Sequence, residues 1–320
     1  MNASAAPALP AVLIMGPTGA GKTDLAMRLA DRLPVEIVSV DSAMVYRGLD
    51  IGTGKPDVEL LRRYPHHLVD ILDPSQAYSA GQFVRDAHRL IVEIHARGRL
   101  PLLVGGTMLY FRALRRGLAA MPEANPEIRA GINAEAAERG WPELHAQLAI
   151  VDAKAAARIQ PNDGQRIQRA LEVFRVSGTS LSDLHAAAAP PDPRFRFIAT
   201  AWTPGVRERL YDAIDARFRT MMERGLLSEV ELLFNRGDLH PDLPAVRSVG
   251  YRQLWEHLSG KVELQAAVAN AIFATRHLAR RQLMWLRAET DMRSFDPLES
   301  GAGAQMEQFV AAQWLDRGSS

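Results

Sequence analysis

Eight consecutive residues, Gly16-Pro17-Thr18-Gly19-Ala20-Gly21-Lys22-Thr23, have the types and spacing of G-x-x-x-x-G-K-[ST]. The chemistry of that pattern is the gripping of a diphosphate or triphosphate. Glycines let the backbone wrap closely so that several N–H groups point inward, and the following helix presents the positive end of its dipole. Lys22 supplies a mobile cation. The Thr23 hydroxyl is suited to a Mg²⁺ ion that bridges phosphate oxygens and keeps several of its waters. The loop alone does not say whether a phosphoryl group is transferred, a phosphate is hydrolysed or a diphosphate departs.

Three further groups bear on that choice. Asp41-Ser42 closes a second apolar run, where a carboxylate can bind Mg²⁺ through water, orient a substrate or take a proton, but can also simply cap the next turn. Asp50-Ile51-Gly52-Thr53-Gly54-Lys55-Pro56 is another glycine-containing turn with a cation. Gly105-Gly106-Thr107 follows a third apolar run, and its paired glycines permit close approach of the backbone to a ligand. That run lacks the terminal Asp of an ATPase magnesium site, and neither D-x-x-G nor N-K-x-D, the marks of a GTPase, is present. Kinases and other transferases remain.

These groups need a scaffold that gathers them. Ala11 to Met15, Glu36 to Val40 and Leu100 to Val104 read as buried strands alternating with helices that start near Lys22 and Gly81. The alternation predicts an α/β fold with a doubly wound parallel sheet, whose ligands collect at the carboxyl ends of the strands. Ser79 and Gln82 have capping-box spacing, so a helix is expected over about Ala80 to His95. From Gly117 the pattern turns helical, which predicts an inserted all-helical domain at 117–190 between two core segments, 1–116 and 191–300. Phe195 to Thr200 returns the chain to the sheet, and residues 301–320 are expected to form a flexible tail.

The bulk composition sets outer limits. A chain of 320 residues with 47% hydrophobic side chains can fill a sizeable core. Zero cysteines exclude disulfides, thiol nucleophiles and thiolate zinc sites. Formal charge is +1, so no global attraction to a polyanion is available and any such surface must be local. No apolar stretch reaches the roughly 20 residues that a membrane span needs, so a soluble cytoplasmic protein is expected. Adjacent His66 and His67 point apart on an extended chain and read as structural.

Taken in order, the loop at 16–23, Asp41-Ser42-Ala43-Met44-Val45-Tyr46, the turn at 50–56, His66-His67-Leu68-Val69-Asp70, Tyr78-Ser79-Ala80, Gly105-Gly106-Thr107-Met108-Leu109-Tyr110, Asn162-Asp163 with Arg166 to Phe174, Val249-Gly250-Tyr251-Arg252-Gln253, and Thr275-Arg276 with Arg280-Arg281-Gln282 closely resemble the tRNA dimethylallyltransferase family. The likeness runs from Val12 to Arg287. Ala20 stands where serine is common and Met44 where glutamine or leucine is usual. The zinc finger of eukaryotic relatives is absent.

The resemblance implies a P-loop NTPase-like fold and transfer of a dimethylallyl group from its diphosphate to N6 of adenosine 37, in tRNAs that read codons beginning with U. It implies Asp41 as general base, Thr107 beside the reacting amine, Arg217 on the diphosphate, and Mg²⁺ at Thr23. The same likeness implies a tRNA surface of Asp41, Ser42, Ala43, Met44, Thr107, Arg129, Gln165, Arg166, Ile167, Gln168, Arg169, Arg247, Gly250, Arg252, Arg280 and Arg281. Arg276, Arg280 and Arg287 share one helical face by their spacing. The expected partners are the anticodon stem-loop of tRNA and dimethylallyl diphosphate, met by a monomer. A kinase of a small metabolite or nucleoside, and a prenyltransferase of free adenine nucleotides, are the alternatives.

Overall fold

The computed structural model describes residues 8–187 and 190–315. Residues 1–7, residues 188–189 of the expected helical domain and the end of the expected tail (316–320) lie outside this range. Six strands, β1 (Leu9–Met15), β2 (Val35–Val40), β3 (His66–His67), β4 (Leu100–Gly105), β5 (Phe195–Trp202) and β6 (Arg293–Phe295), pair in the order β3-β2-β4-β1-β5-β6. All the pairings are parallel. Central strand β1 is apolar on both faces and Ala11 to Ile14 are fully buried, as a parallel sheet covered on both sides requires.

In the first part of the chain the helices are α1 (Lys22–Arg32), α2 (Val58–Arg63), α3 (Ala80–Ala96) and α4 (Met108–Arg116). Ser79 and Gln82 form the expected capping box at the start of α3. Then come α5 (Pro126–Arg139), α6 (Trp141–Val151), α7 (Ala153–Ala156), α8 (Gly164–Ser177) and α9 (Leu181–Ala186). The last group is α10 (Arg207–Glu223), α11 (Leu226–Phe234), α12 (Tyr251–Leu258), α13 (Leu264–Arg287) and α14 (Ala302–Leu315). None of the described helices is long and apolar enough to cross a membrane.

By its own packing the chain forms two units, residues 1–113 with 193–320, and 114–192. In the first, Val12 and Ile14 of β1 and Leu102 and Val104 of β4 pack with α1, with Leu210 and Ile214 of α10 and with Ala279 and Leu283 of α13. In the second, Ile132, Leu144, Leu148, Ile167 and Leu171 make a separate helical core. Its helices start on polar caps: Asn125 accepts from two N–H groups of α5, with Pro126 following, and Asp163 caps α8.

The expected tail is a correction. Residues 302–315 form α14, and Ala302, Met306 and Val310, four apart on one face, pack into the core beneath the sheet. Phe309 and Trp314 pack against the same core from the side, and the small and amide residues between these anchors are why the sequence reads as weakly patterned.

Candidate active site

The phosphate loop joins β1 to α1. Gly19 and Gly21 have φ of 82° and 76°, the left-handed region that glycine enters without cost. The N–H of Gly16 donates to Gly105 O, that of Ala20 to Pro17 O, and that of Thr18 to Gln282 Oε1 at 2.9 Å. The N–H groups of Gly19, Gly21, Lys22 and Thr23 have no protein acceptor among the described residues. Four donors and the start of a three-turn helix therefore define a cradle for anionic oxygens.

Two cations serve that cradle. Lys22 Nζ lies 2.7 Å from Pro17 O, at the loop itself. Burial pushes its ammonium down to about 8; the Asp41 carboxylate opposes the shift and Arg217 adds to it. Burial likewise lowers the Arg217 guanidinium, against the pull of Asp41 and Asp24. Two desolvated positive groups that repel one another favour an incoming polyanion.

Asp41 and Thr107 leave neighbouring strand ends, since Val40 of β2 is in register with Gly105 of β4. Asp41 Oδ1 accepts from the N–H groups of Ala43 at 2.8 Å and Met44 at 3.3 Å, so the aspartate does close the turn. Its second oxygen makes no such bond. Thr107 Oγ1 accepts from Ser42 N–H at 3.1 Å and donates to Ser42 Oγ at 3.4 Å. The structure thus brings Asp41, Ser42 and Thr107 together beside the loop, as the sequence implied.

The second glycine turn works inward. Lys55 is buried, with its ammonium held by Asp50, Asp70 and the carbonyl of Tyr46. The N–H groups of Asp50, Ile51 and Gly52 all donate to the Glu229 carboxylate at 2.7–3.1 Å, and Tyr251 OH donates to it as well. This nest holds an internal carboxylate in place of a phosphate. Its outward product is the placement of Arg217, whose Nη2 donates to Thr53 O at 3.4 Å.

The expected RNA-facing residues divide. Arg280 and Arg281 on α13 are exposed and form no ion pair among the described residues. Arg252 is exposed and pairs with Glu256; Arg247 is exposed. Gly250 is buried at the start of α12, where its N–H donates to Gln253. Arg276 is bound through both nitrogens to Asp215 and stands out of the expected basic face. His67 pairs with Glu36 and His66 with Tyr64 O, so both are structural.

In the helical unit Gln165 and Arg166 are exposed, and Gln168 donates to Asn133. Ile167 is fully buried in that unit's core, so its side chain is not at the surface. Arg129 and Arg169 both grip Glu172, which is fully buried and which the sequence left unremarked. Burial opposes ionisation of Glu172, but bonds from Arg129, Arg169 and the Asn125 N–H outweigh it and hold the carboxyl below its usual range. The Arg129 side chain as a whole is 42% exposed and that of Arg169 32%.

A family model described as IPP transferase matches residues 44–289, and one described as isopentenyl transferase matches residues 10–70. The chain is 54% identical over 293 residues to a tRNA dimethylallyltransferase of Thioalkalivibrio sulfidiphilus, covering 90% of this chain and 92% of that one. It is 50% identical to a tRNA dimethylallyltransferase of Methylobacillus flagellatus, covering 94% and 96%. Among solved structures it is similar to the full-length tRNA isopentenylpyrophosphate transferase of Bacillus halodurans, with TM-score 0.71, 36% identity, and 97% and 98% of the two chains covered. With a phosphate loop, a neighbouring carboxylate and near full-length likeness to these relatives, the chain belongs to the IPP transferase family.

Proposed function

We propose that this enzyme transfers the dimethylallyl group of dimethylallyl diphosphate to N6 of adenosine 37 in tRNAs reading codons that begin with U, and releases diphosphate. The observation that carries this reading is the adjacency of an anion cradle after β1 to a carboxylate after β2, with Thr107 after β4 between them. Family membership favours prenyl transfer over a kinase, which would use the same loop to donate a phosphoryl group.

In the reaction the amine nitrogen forms a bond to the allylic carbon as the carbon–oxygen bond breaks. Negative charge grows on the departing diphosphate, where the free loop N–H groups, Lys22 and Arg217 stabilise it more than they stabilise the bound reactant. The amine gains positive charge and loses its proton to Asp41, whose unbonded carboxylate oxygen is available for it. Thr107 orients the amine. Adenosine leaves its stack in the anticodon loop to reach this point, which also excludes water from the cationic carbon.

Mg²⁺ suits the donor set. Among the described residues the Thr23 hydroxyl has no protein partner, and they contain no cluster of three or more His, Cys, Asp or Glu to hold a metal by themselves. The remaining donors are substrate oxygens and water, the coordination magnesium prefers. Thr23 would hold such an ion, which would supply neutralisation of charge on the diphosphate.

Incubation with labelled dimethylallyl diphosphate, unmodified tRNA and Mg²⁺, in parallel with labelled ATP, tests the proposal. Prenyl label on tRNA is expected. Phosphate label on a small acceptor, with none on tRNA, contradicts it.

A further inference from the structure

Gln282 lies in α13 next to two exposed arginines, yet its own side chain is only 7% exposed as a residue and points into the sheet ends. Its Oε1 accepts from the N–H of Thr18 at 2.9 Å, and its Nε2 donates to the carbonyl of Gly106 at 2.8 Å. The amide orientation is unambiguous, since one partner can only donate and the other can only accept. Residue 106 accommodates this contact by being glycine: a Cβ there would lie 2.4 Å from Nε2.

One side chain therefore spans the two halves of the reaction site. Thr18 belongs to the loop that receives the leaving group, and Gly106 immediately precedes Thr107 at the acceptor side. We propose that Gln282 is a positioning residue that sets the distance between the diphosphate cradle and the strand end carrying Thr107. It touches neither substrate. Its amide also occupies a loop N–H that phosphate would otherwise compete for, which confines the diphosphate to the donors from Gly19 onward.

This inference rests on the prenyl-transfer reading, and its test separates the two. Single-turnover rates at saturating dimethylallyl diphosphate and tRNA are compared for the wild type, Gln282→Met and Gln282→Glu, alongside diphosphate affinity by calorimetry. A wild type that does not prenylate tRNA defeats the functional reading; the variants bear on Gln282 only once it does. Gln282→Met keeps the shape and loses both bonds, and a rate loss of about tenfold to a hundredfold is expected, the scale of a reacting pair misplaced by about 1 Å, with diphosphate affinity within about threefold.

Gln282→Glu provides a readout that a merely structural role does not move. Protonated, the acid reproduces both bonds; ionised, it faces the Gly106 carbonyl with a negative charge. The ratio of its rate to the wild-type rate is expected to climb as pH falls from 8 to 6. A ratio that does not change with pH overturns the inference, as does a Gln282→Met rate within about twofold of wild type. So does a loss confined to diphosphate affinity.

Discussion

The guanidinium of Arg217 occupies the space that a side chain on Gly54 would need: a Cβ at residue 54 would lie 1.6 Å from Nη2. Gly54 also has φ of 66°, so alanine there is strained as well as obstructive. The glycine turn at 50–56 is thus a mould for Arg217, the arginine proposed to bind diphosphate. Gly54→Ala is expected to displace Arg217 and weaken diphosphate binding by about tenfold, the worth of one charge-assisted contact. Calorimetry with inorganic diphosphate measures it; an unchanged affinity removes Arg217 from the anion site.

Asp41→Asn retains the turn-closing bonds to Ala43 and Met44 through the amide oxygen, so the fold is expected to persist. The proposed proton acceptor is lost. Single-turnover prenylation should slow by about a hundredfold or more while tRNA affinity stays within about twofold. A rate close to wild type assigns proton removal to another group.

Lys22 links diphosphate binding to pH. Free, its ammonium titrates at about 8, and an anion beside it raises that value. Below 8 the lysine is already charged and binding takes up no proton. Above 8 the free enzyme has lost the proton and must regain it, so affinity should decline with rising pH and binding should consume up to one proton. Calorimetry in buffers of differing ionisation enthalpy reports the uptake; Lys22→Arg should abolish it.

Glu172 governs the helical unit. Its native carboxyl is held below the unfolded value, so its contribution is complete above about pH 4.5 and disappears as pH falls through the lower native value. Glu172→Gln should destabilise this unit by about 2 kcal/mol at neutral pH, since it deprives two guanidinium groups of their charged partner. In acid the variant and wild type should converge. Thermal melts across pH, followed through Trp141 fluorescence, check both the size and the convergence.

The parts of this molecule that were legible in the sequence are those written in local pattern. The loop at 16–23, the capping box at Ser79 and the apolar runs of β1, β2, β4 and β5 are contiguous, and their periodicity needs no distant partner. Gln282, Glu172 and Glu229 were not legible as anchors, because each acts through at least two partners far away in the chain, Arg129 and Asn125 in the case of Glu172, that only the packed structure supplies. Arg129 and Arg169 show the same limit from the other side: both were expected at the tRNA surface, and both are tied to Glu172. Strands β3 and β6 have two and three residues, too short for any periodicity to register.

The most direct test of the central claim is a crystal structure of the enzyme with an anticodon stem-loop and an unreactive thio-analogue of dimethylallyl diphosphate. The diphosphate oxygens should accept from the N–H groups of Gly19, Gly21, Lys22 and Thr23, with adenosine N6 within hydrogen-bond reach of Asp41 and the allylic carbon between them. A diphosphate bound elsewhere, or a nucleobase held away from Asp41 and Thr107, would contradict the account.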